Sequence, residues 1–208
     1  HLLFVDPGRS GVSVEWPDVV IVGATTENAW WGPGIRNGLI MSSNAPGIPR
    51  FFARTAAPLE TRFGRLDGEV FGGVLTKSRF FGESANENRT VSGFRMLWRP
   101  PVDSSVALGF ARVVYAPVGA EASPFAQTFA RAFDALVRWE NLAGVGNQRS
   151  DQTAAISARW LPARGLEIYG EWARMDLPRN AAELLTAAHH TGAWPLGMQW
   201  AHRRPAGA

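Results

Sequence analysis

The sequence predicts an all-β fold, an antiparallel sheet of the transmembrane β-barrel kind with two short helices. Three observations carry that expectation. Apolar and polar residues alternate with period two through six segments of roughly ten residues, which is the rhythm of strands. Turn residues such as Pro100-Pro101-Val102-Asp103 and Pro162-Ala163-Arg164-Gly165 separate those segments. The 208 residues include 22 Gly, 9 Trp and 12 Phe yet are only 19% charged, below the roughly 25% of soluble domains.

Composition also removes whole classes. A hydrophobic share of 46% with 11% aromatics excludes disorder. The absence of Cys excludes a disulfide framework and a thiolate metal site. A helical membrane protein is excluded as well. The longest stretch without a formal charge, Leu184 to His202, carries Thr, Gly, Pro, Gln and three His. No linker divides the chain, so residues 1–208 form a single region. It opens at His1 without an initiator Met or a signal-peptide pattern and closes on Arg203-Arg204-Pro205-Ala206-Gly207-Ala208. Such ends are expected of an interior piece of a longer protein, or of a trimmed mature one.

The elements follow in order. Residues 28–58 read as a Trp30-Trp31 pair on a Gly32-Pro33-Gly34 turn, a short apolar strand at Leu39–Met41, an Asn44-Ala45-Pro46-Gly47 turn and a strand through Phe51–Thr55. From Arg62 the period is two. Leu66, Gly68, Val70, Gly72 and Val74 oppose Arg65, Asp67, Glu69, Phe71 and Gly73. Phe94, Met96 and Trp98 oppose Gly93, Arg95 and Leu97. Val106, Leu108, Phe110 and Val114 oppose Ala107, Gly109 and Ala111, with Arg112 breaking the apolar face near its end. Ala154, Ile156, Ala158 and Trp160 oppose Asp151, Thr153, Ser157 and Arg159. Leu166, Ile168, Gly170 and Trp172 oppose Glu167, Tyr169, Glu171 and Ala173; Trp194, Leu196, Met198 and Trp200 oppose Gly197 and Gln199. The first helix starts at Ser123-Pro124, an N-cap followed by Pro, and sets Phe125, Phe129, Phe133, Leu136 and Val137 on one face. The second runs from about Pro178 to Ala188 behind Asp176. Both are expected to cover a barrel mouth or fold against its inside.

Two readings fit the alternation. In a soluble sandwich the apolar face is the core and the polar face meets water. In a transmembrane barrel the apolar face meets lipid and the polar face a lumen. Segment length matches the roughly 9–11 residues that cross a bilayer when tilted. Trp98, Trp160, Trp172, Trp194 and Trp200 stand towards the ends of apolar faces, where aromatic girdles form. Short Pro/Gly turns alternate with longer polar links.

Residues 28–58 carry a further signal. Asn28-Ala29-Trp30-Trp31-Gly32-Pro33-Gly34, Leu39-Ile40-Met41-Ser42-Ser43-Asn44-Ala45-Pro46-Gly47 and Phe51-Phe52-Ala53-Arg54-Thr55 resemble the capsule-assembly Wzi family of Gram-negative outer membranes. That family's pattern is a WWGPG turn, an L-x-L-S-x-N-A-P-G segment and an aromatic–Arg–Thr strand, from which Met41 and Ser43 depart mildly. The likeness continues through Arg65–Ser78 and Asn147–Gln199 and covers most of the chain, although residues 1–15 and 80–90 add little. The resemblance implies an outer-membrane β-barrel lectin that helps attach and assemble capsular polysaccharide or related exopolysaccharide at the cell surface. It implies no enzymatic activity and no cofactor. Family members are much longer, so this chain is expected to hold about half of a larger barrel, with the rest outside it.

The basic residues point the same way. Of 21 Lys and Arg only Lys77 is lysine, leaving twenty arginines. Guanidinium forks pair bidentately with carboxylates, so Arg54, Arg65, Arg95 and Arg159 are candidate contacts to an acidic polysaccharide. The alternative is internal pairing with Asp67, Glu69, Glu167 and Glu171. Trp30 and Trp31 are candidates for stacking on sugar rings, or anchors for their own turn. Alternation turns Tyr169 inward, as a ligand contact, and Trp172 to lipid. Asp67 with Glu69, and Glu167 with Glu171, raise a second reading, a polysaccharide-modifying hydrolase; lumen strands generate such pairs without it. His189-His190 do not share a face and suggest no metal site. A pI near 10.1 raises nucleic-acid binding, but the arginines are dispersed and form no patch.

Overall fold

The computed structural model of the chain describes residues 8–44, 46–76, 88–118, 123–137, 150–175 and 192–201. The strands are β1 (Gly11–Trp16), β2 (Val20–Thr25), β3 (Arg50–Thr55), β4 (Leu59–Thr61), β5 (Gly64–Leu75), β6 (Arg89–Arg99) and β7 (Val106–Pro117). The helices α1 (Pro124–Ala130) and α2 (Asp134–Val137) follow, then β8 (Asp151–Ala163), β9 (Leu166–Met175), β10 (Gly192–Ala193) and β11 (Leu196–Trp200). All strands join one antiparallel sheet in the order β1-β2-β3-β5-β6-β7-β8-β9-β10, with β4 beside β5 and β11 beside β9. Among the described residues the sheet stays open, with β1 at one edge and β10 and β11 at the other. No described helix is long and apolar enough to cross a membrane.

The connections segregate by length. Residues 17–19, 100–105 and 164–165 turn the chain at one end of the sheet, and segments 26–49, 76–88, 118–150 and 176–191 connect strands at the other. In the first turn Val19 N–H donates to the Trp16 carbonyl (3.1 Å) and Asp18 takes φ 60°, the left-handed position that Asp tolerates. In the second, Ser105 N–H donates to Asp103 Oδ1 (2.8 Å), and the Ser105 hydrogen bonds hold that carboxyl below its usual range. Pro162 sits at a register shift inside β8, and the β8–β9 turn closes on Arg164 and Gly165.

Register defines two faces. On one, Arg54, Glu69, Arg95, Ala111, Ala155 and Ala173 form a cross-strand row. On the other, Gly68, Met96, Phe110, Ile156 and Trp172 do so. The alternations read from residue 64 onward hold within the strands, but Trp194 falls in the link between β10 and β11, outside the segment it was expected to open. The distribution is the reverse of a soluble sheet: Glu69, Glu167 and Glu171 are buried on the polar face, while Leu196 and Met198 are 83% and 70% exposed on the apolar one. Trp16, Trp98, Trp160 and Trp200 stand on the apolar face near the short-turn ends of their strands. Among the described strands that face carries two charged residues, Arg112 and Arg174, and both are buried.

The polar face is closed at its long-loop end by residues 26–49. Ala29, Trp31 and Met41 from this segment pack on Phe71, Val91, Ala111 and Val113 as the main core. Gly93 makes that possible, since a Cβ there would lie 2.1 Å from the Phe71 ring and 2.7 Å from Trp31. Residues 39–41 form bends, not the strand expected: their backbone serves the loop, with Trp31 N–H donating to the Met41 carbonyl at 3.1 Å. β1 and β2, unmarked in the sequence reading, extend the sheet beyond β3.

The first helix departs from expectation in two ways. It breaks at residues 131–133, and it packs on the apolar face, not in a mouth or lumen. Ser123 occupies the N-cap, but its hydroxyl makes no capping bond. Thr128 and Ala135 are the buried positions, and Phe125, Phe129, Phe133 and Val137 are each more than half exposed, with Phe125 edge-on to Phe51 of β3. Beneath lie the polar residues of this face. Ala135 N–H donates to Ser92 Oγ (3.2 Å), Arg112 Nη1 donates to the Ala135 carbonyl (3.2 Å), and Arg112 Nε and Nη2 donate to Gln152 Oε1 (3.2 and 2.6 Å). The second expected helix, Pro178–Ala188, and His189-His190 lie outside the described residues.

Arg112→Ala strands the Gln152 amide oxygen and the Ala135 carbonyl, at roughly 1–3 kcal/mol for each buried orphan. Denaturant unfolding in detergent should show a loss of about 3 kcal/mol, with faster proteolysis inside 123–137. Arg112→Leu combined with Gln152→Leu should recover part of it, because two apolar partners need no hydrogen bond.

Candidate functional site

The site is the polar face where segment 26–49 crosses it. Arg50, buried at the start of β3, donates from Nη1 to the Glu27 carbonyl, and Thr25 Oγ1 accepts from Glu27 N–H (3.0 Å). These contacts fix the segment's departure from β2. Trp31 is 2% exposed and meets Phe71 at 5.3 Å between centroids, tilted by 59°. Trp30 turns the other way: it is 38% exposed, and its Nε1–H donates to the Gly34 carbonyl at 2.8 Å, which fixes the indole plane. Gly32 joins the loop to the sheet. Its φ is +100°, and a Cβ there would lie 2.8 Å from Glu171 Oε2. The Glu171 carboxylate accepts from Leu39 N–H on the far side of the loop. Glu171 Oε2 and Trp31 Nε1 are buried without hydrogen-bond partners.

Between the loop and the sheet lies a cavity of about 330 Å³, lined by Trp30, Arg95, Ser157, Arg159, Glu167 and Gln199 among others. A smaller recess of about 180 Å³ on the other side of Trp31 is lined by Asn28, Arg50, Arg54 and Glu69, and Arg95 borders both. Arg159 forks onto Glu167, Nε to Oε1 at 2.5 Å and Nη2 to Oε2 at 3.0 Å; Gln199 Nε2 adds a third donor at 2.6 Å. Arg95 lies between Glu69 (3.1 Å) and Asp67 (3.4 Å). The cavity floor thus carries the Arg159–Glu167 pair and the Arg95 guanidinium.

The sequence candidates divide accordingly. Trp30, Trp31, Arg95 and Arg159 line the larger cavity, and Arg54 lines the smaller recess with its guanidinium 5.6 Å from the Phe52 ring. Arg65 belongs to neither; it pairs with Glu60 at 2.6 Å, both side chains more than half exposed, where such a pair contributes little. Tyr169 stands on the polar face with its ring over Gly197, beside the cavity but not in its lining. Internal pairing is what Arg95 and Arg159 do. Trp31 is an anchor of its turn, and Trp30 the accessible member of the pair. Gln199, Ser157, Arg50 and Gly32 were not singled out. Alternation marked the first two as inward, but only register brings them to Glu167 and Arg159.

No protein-family model, curated protein or solved structure matches this chain.

Gly32→Ala adds a side chain where φ is positive, at about 1–2 kcal/mol, and pushes it against Glu171. Thermal unfolding should register a loss of at least about 2 kcal/mol. Tryptophan emission should shift to longer wavelength as Trp31 leaves the core.

Proposed function

We propose that the chain is part of an outer-membrane β-barrel of the Wzi kind, a lectin that retains capsular polysaccharide or related exopolysaccharide at the surface of a Gram-negative cell, without enzymatic activity. The carrying observation is the inverted sheet. A face of Val12, Val14, Leu108, Ile156, Ile168, Leu196 and Met198 with no exposed charge among the described strands calls for hydrocarbon, not water. β5 to β9 run 10 to 13 residues, enough to cross a bilayer at a tilt. The tryptophans near the short turns fit an interfacial girdle. Hydrocarbon does not tolerate open sheet edges, so closure needs strands beyond those described. The lectin reading rests on Trp30, a held and half-exposed aromatic plane over a polar cavity, together with the likeness of residues 28–58 to the family pattern.

Asp67 and Glu69 lie about 6.6 Å apart along β5 at roughly 3.3 Å per residue, a spacing open to the hydrolase reading, but both pair with Arg95 and neither lines the larger cavity. Glu167 and Glu171 are four residues apart on β9, about 13 Å along a strand at roughly 3.3 Å per residue. Carboxylates of inverting glycosidases lie about 6.5–9.5 Å apart and those of retaining ones about 5–5.5 Å. Glu167 is moreover held by Arg159 and Gln199.

The membrane setting is tested by substitution on the apolar face. In lipid vesicles Ile156→Arg should cost about 2–4 kcal/mol, the midplane value for barrels, whereas Val102→Arg in the β6–β7 turn should stay within about 0.5 kcal/mol. Equal tolerance at both positions would remove the membrane reading. Polysaccharide binding is tested by pull-down on immobilised acidic capsular polysaccharide, with reducing ends assayed in the same tube. Retention without new reducing ends is expected, weakened about tenfold (about 1.4 kcal/mol) in Trp30→Ala. New reducing ends would support the hydrolase instead.

A further inference from the structure

We propose that the smaller recess beside Trp31 is an anion subsite, in which Arg54 takes the carboxylate of an acidic sugar unit, a uronate; the inference rests on the lectin reading above. Arg50, Arg54 and Arg95 line this recess against Glu27 and Glu69. Arg95 is engaged by Glu69 at 3.1 Å and by Asp67 at 3.4 Å. Two guanidinium groups then remain against the single carboxylate of Glu27, and neither forms an ion pair among the described residues. Arg54 faces Glu69 in register across β3 and β5, yet Glu69 turns to Arg95. The Arg54 guanidinium lies instead 5.6 Å from the Phe52 ring. An aromatic ring occupies the face of a guanidinium and leaves its edge of N–H donors for a carboxylate.

Arg50 forms a buried wall of the same recess. It is 8% exposed, its Nη1 donates to the Glu27 and Ile48 carbonyls, and its Nε is buried without a hydrogen-bond partner. Arg54 acts on it as a like charge. A buried guanidinium with an open donor, beside a second one that repels it, is a costly arrangement that an anion relieves. Size decides how much of the ligand enters. The recess holds about 180 Å³, below the roughly 300–1,000 Å³ of whole-ligand sites, so it admits a charged substituent and no length of polysaccharide. Trp30 borders both the recess and the larger cavity. A pyranose lying with its C–H face against the indole can therefore direct its exocyclic carboxylate to Arg54. Arg54 is exposed, so a surface polymer can reach it.

The experiment compares acidic capsular polysaccharide before and after carboxyl reduction, which converts its uronic acids to neutral hexoses. Each form is titrated calorimetrically into the full chain in detergent, with folding verified by circular dichroism. Carboxyl reduction should weaken binding to the unaltered chain by about tenfold or more. Arg54→Gln should weaken the acidic form by a similar factor and leave the reduced form within about twofold, while Arg65→Gln, outside the recess, changes neither. Arg54→Lys should recover only part of the loss, because an ammonium keeps the charge but lacks the fork. Equal affinity of the unaltered chain for both forms would overturn the subsite without any variant. A preference for the acidic form that survives Arg54→Gln in folded protein would overturn it too, and either result leaves the lectin reading intact. Folded, unaltered chain that binds neither form would overturn the subsite and the lectin reading together.

Discussion

One constraint organises this molecule: its sheet hides charge and displays hydrocarbon. Buried ionic groups need partners, and for Glu69 and Glu167 adjacent strands supply them. Arg95 from β6 meets Asp67 and Glu69 from β5, and Arg159 from β8 meets Glu167 from β9. Each pair ties two strands on the face that cannot rely on a large apolar core. The apolar residues that are buried are mostly alanine, together with Trp31, Phe71, Met41, Val91 and Val113 of the plug under segment 26–49 and Val114 under α2. Cohesion therefore comes from backbone ladders and cross-strand ion pairs, with one hydrophobic plug at the long-loop end.

The helical segment obeys the same constraint from the other side. Thr90, Ser92, Arg112 and Gln152 interrupt the apolar face near the long loops. Left open to hydrocarbon they would be expensive. The break between α1 and α2 answers this, because the Ala135 N–H and carbonyl become partners for Ser92 and Arg112. An uninterrupted helix would consume such groups internally. With its small residues against the sheet, the segment turns Phe125, Phe129 and Phe133 outward and continues the apolar surface it covers; Phe51 meets Phe125 edge-on at 5.2 Å.

Much of this was legible in the sequence. Period two assigns the alternating residues of β5 to β9 and β11 to their correct face, because a strand has only two sides. It also marks Arg112 as an anomaly, which the helix explains. The helix itself is misassigned for a physical reason: periodicity shows that Phe125, Phe129 and Phe133 share a side, but not whether that side seeks a core or lipid. β1 and β2 escape notice because six residues, with Ser13, Glu15 and Gly23 among them, give too short a pattern. Segment 39–41 looks strand-like yet is held by Trp31 and Glu171 in bends. Partner choice needs register, so Arg65 could be placed on the polar face but not beside Glu60.

Register also accounts for arginine in place of lysine. Arg159 uses two nitrogens on Glu167, Arg112 uses three on Gln152 and Ala135, and Arg95 spans two carboxylates on one strand. An ammonium is a point charge on a flexible stem and cannot bridge in this way. An arginine-rich, lysine-poor composition suggests an acidic ligand when read alone. In the folded chain Arg95 and Arg159 tie adjacent strands together on a polar face that has no deep core. The guanidinium of Arg54, against Phe52 in its own recess, makes no ion pair among the described residues. Arg54 thus stands apart on this face from Arg95 and Arg159, whose guanidinium groups the sheet's own carboxylates engage.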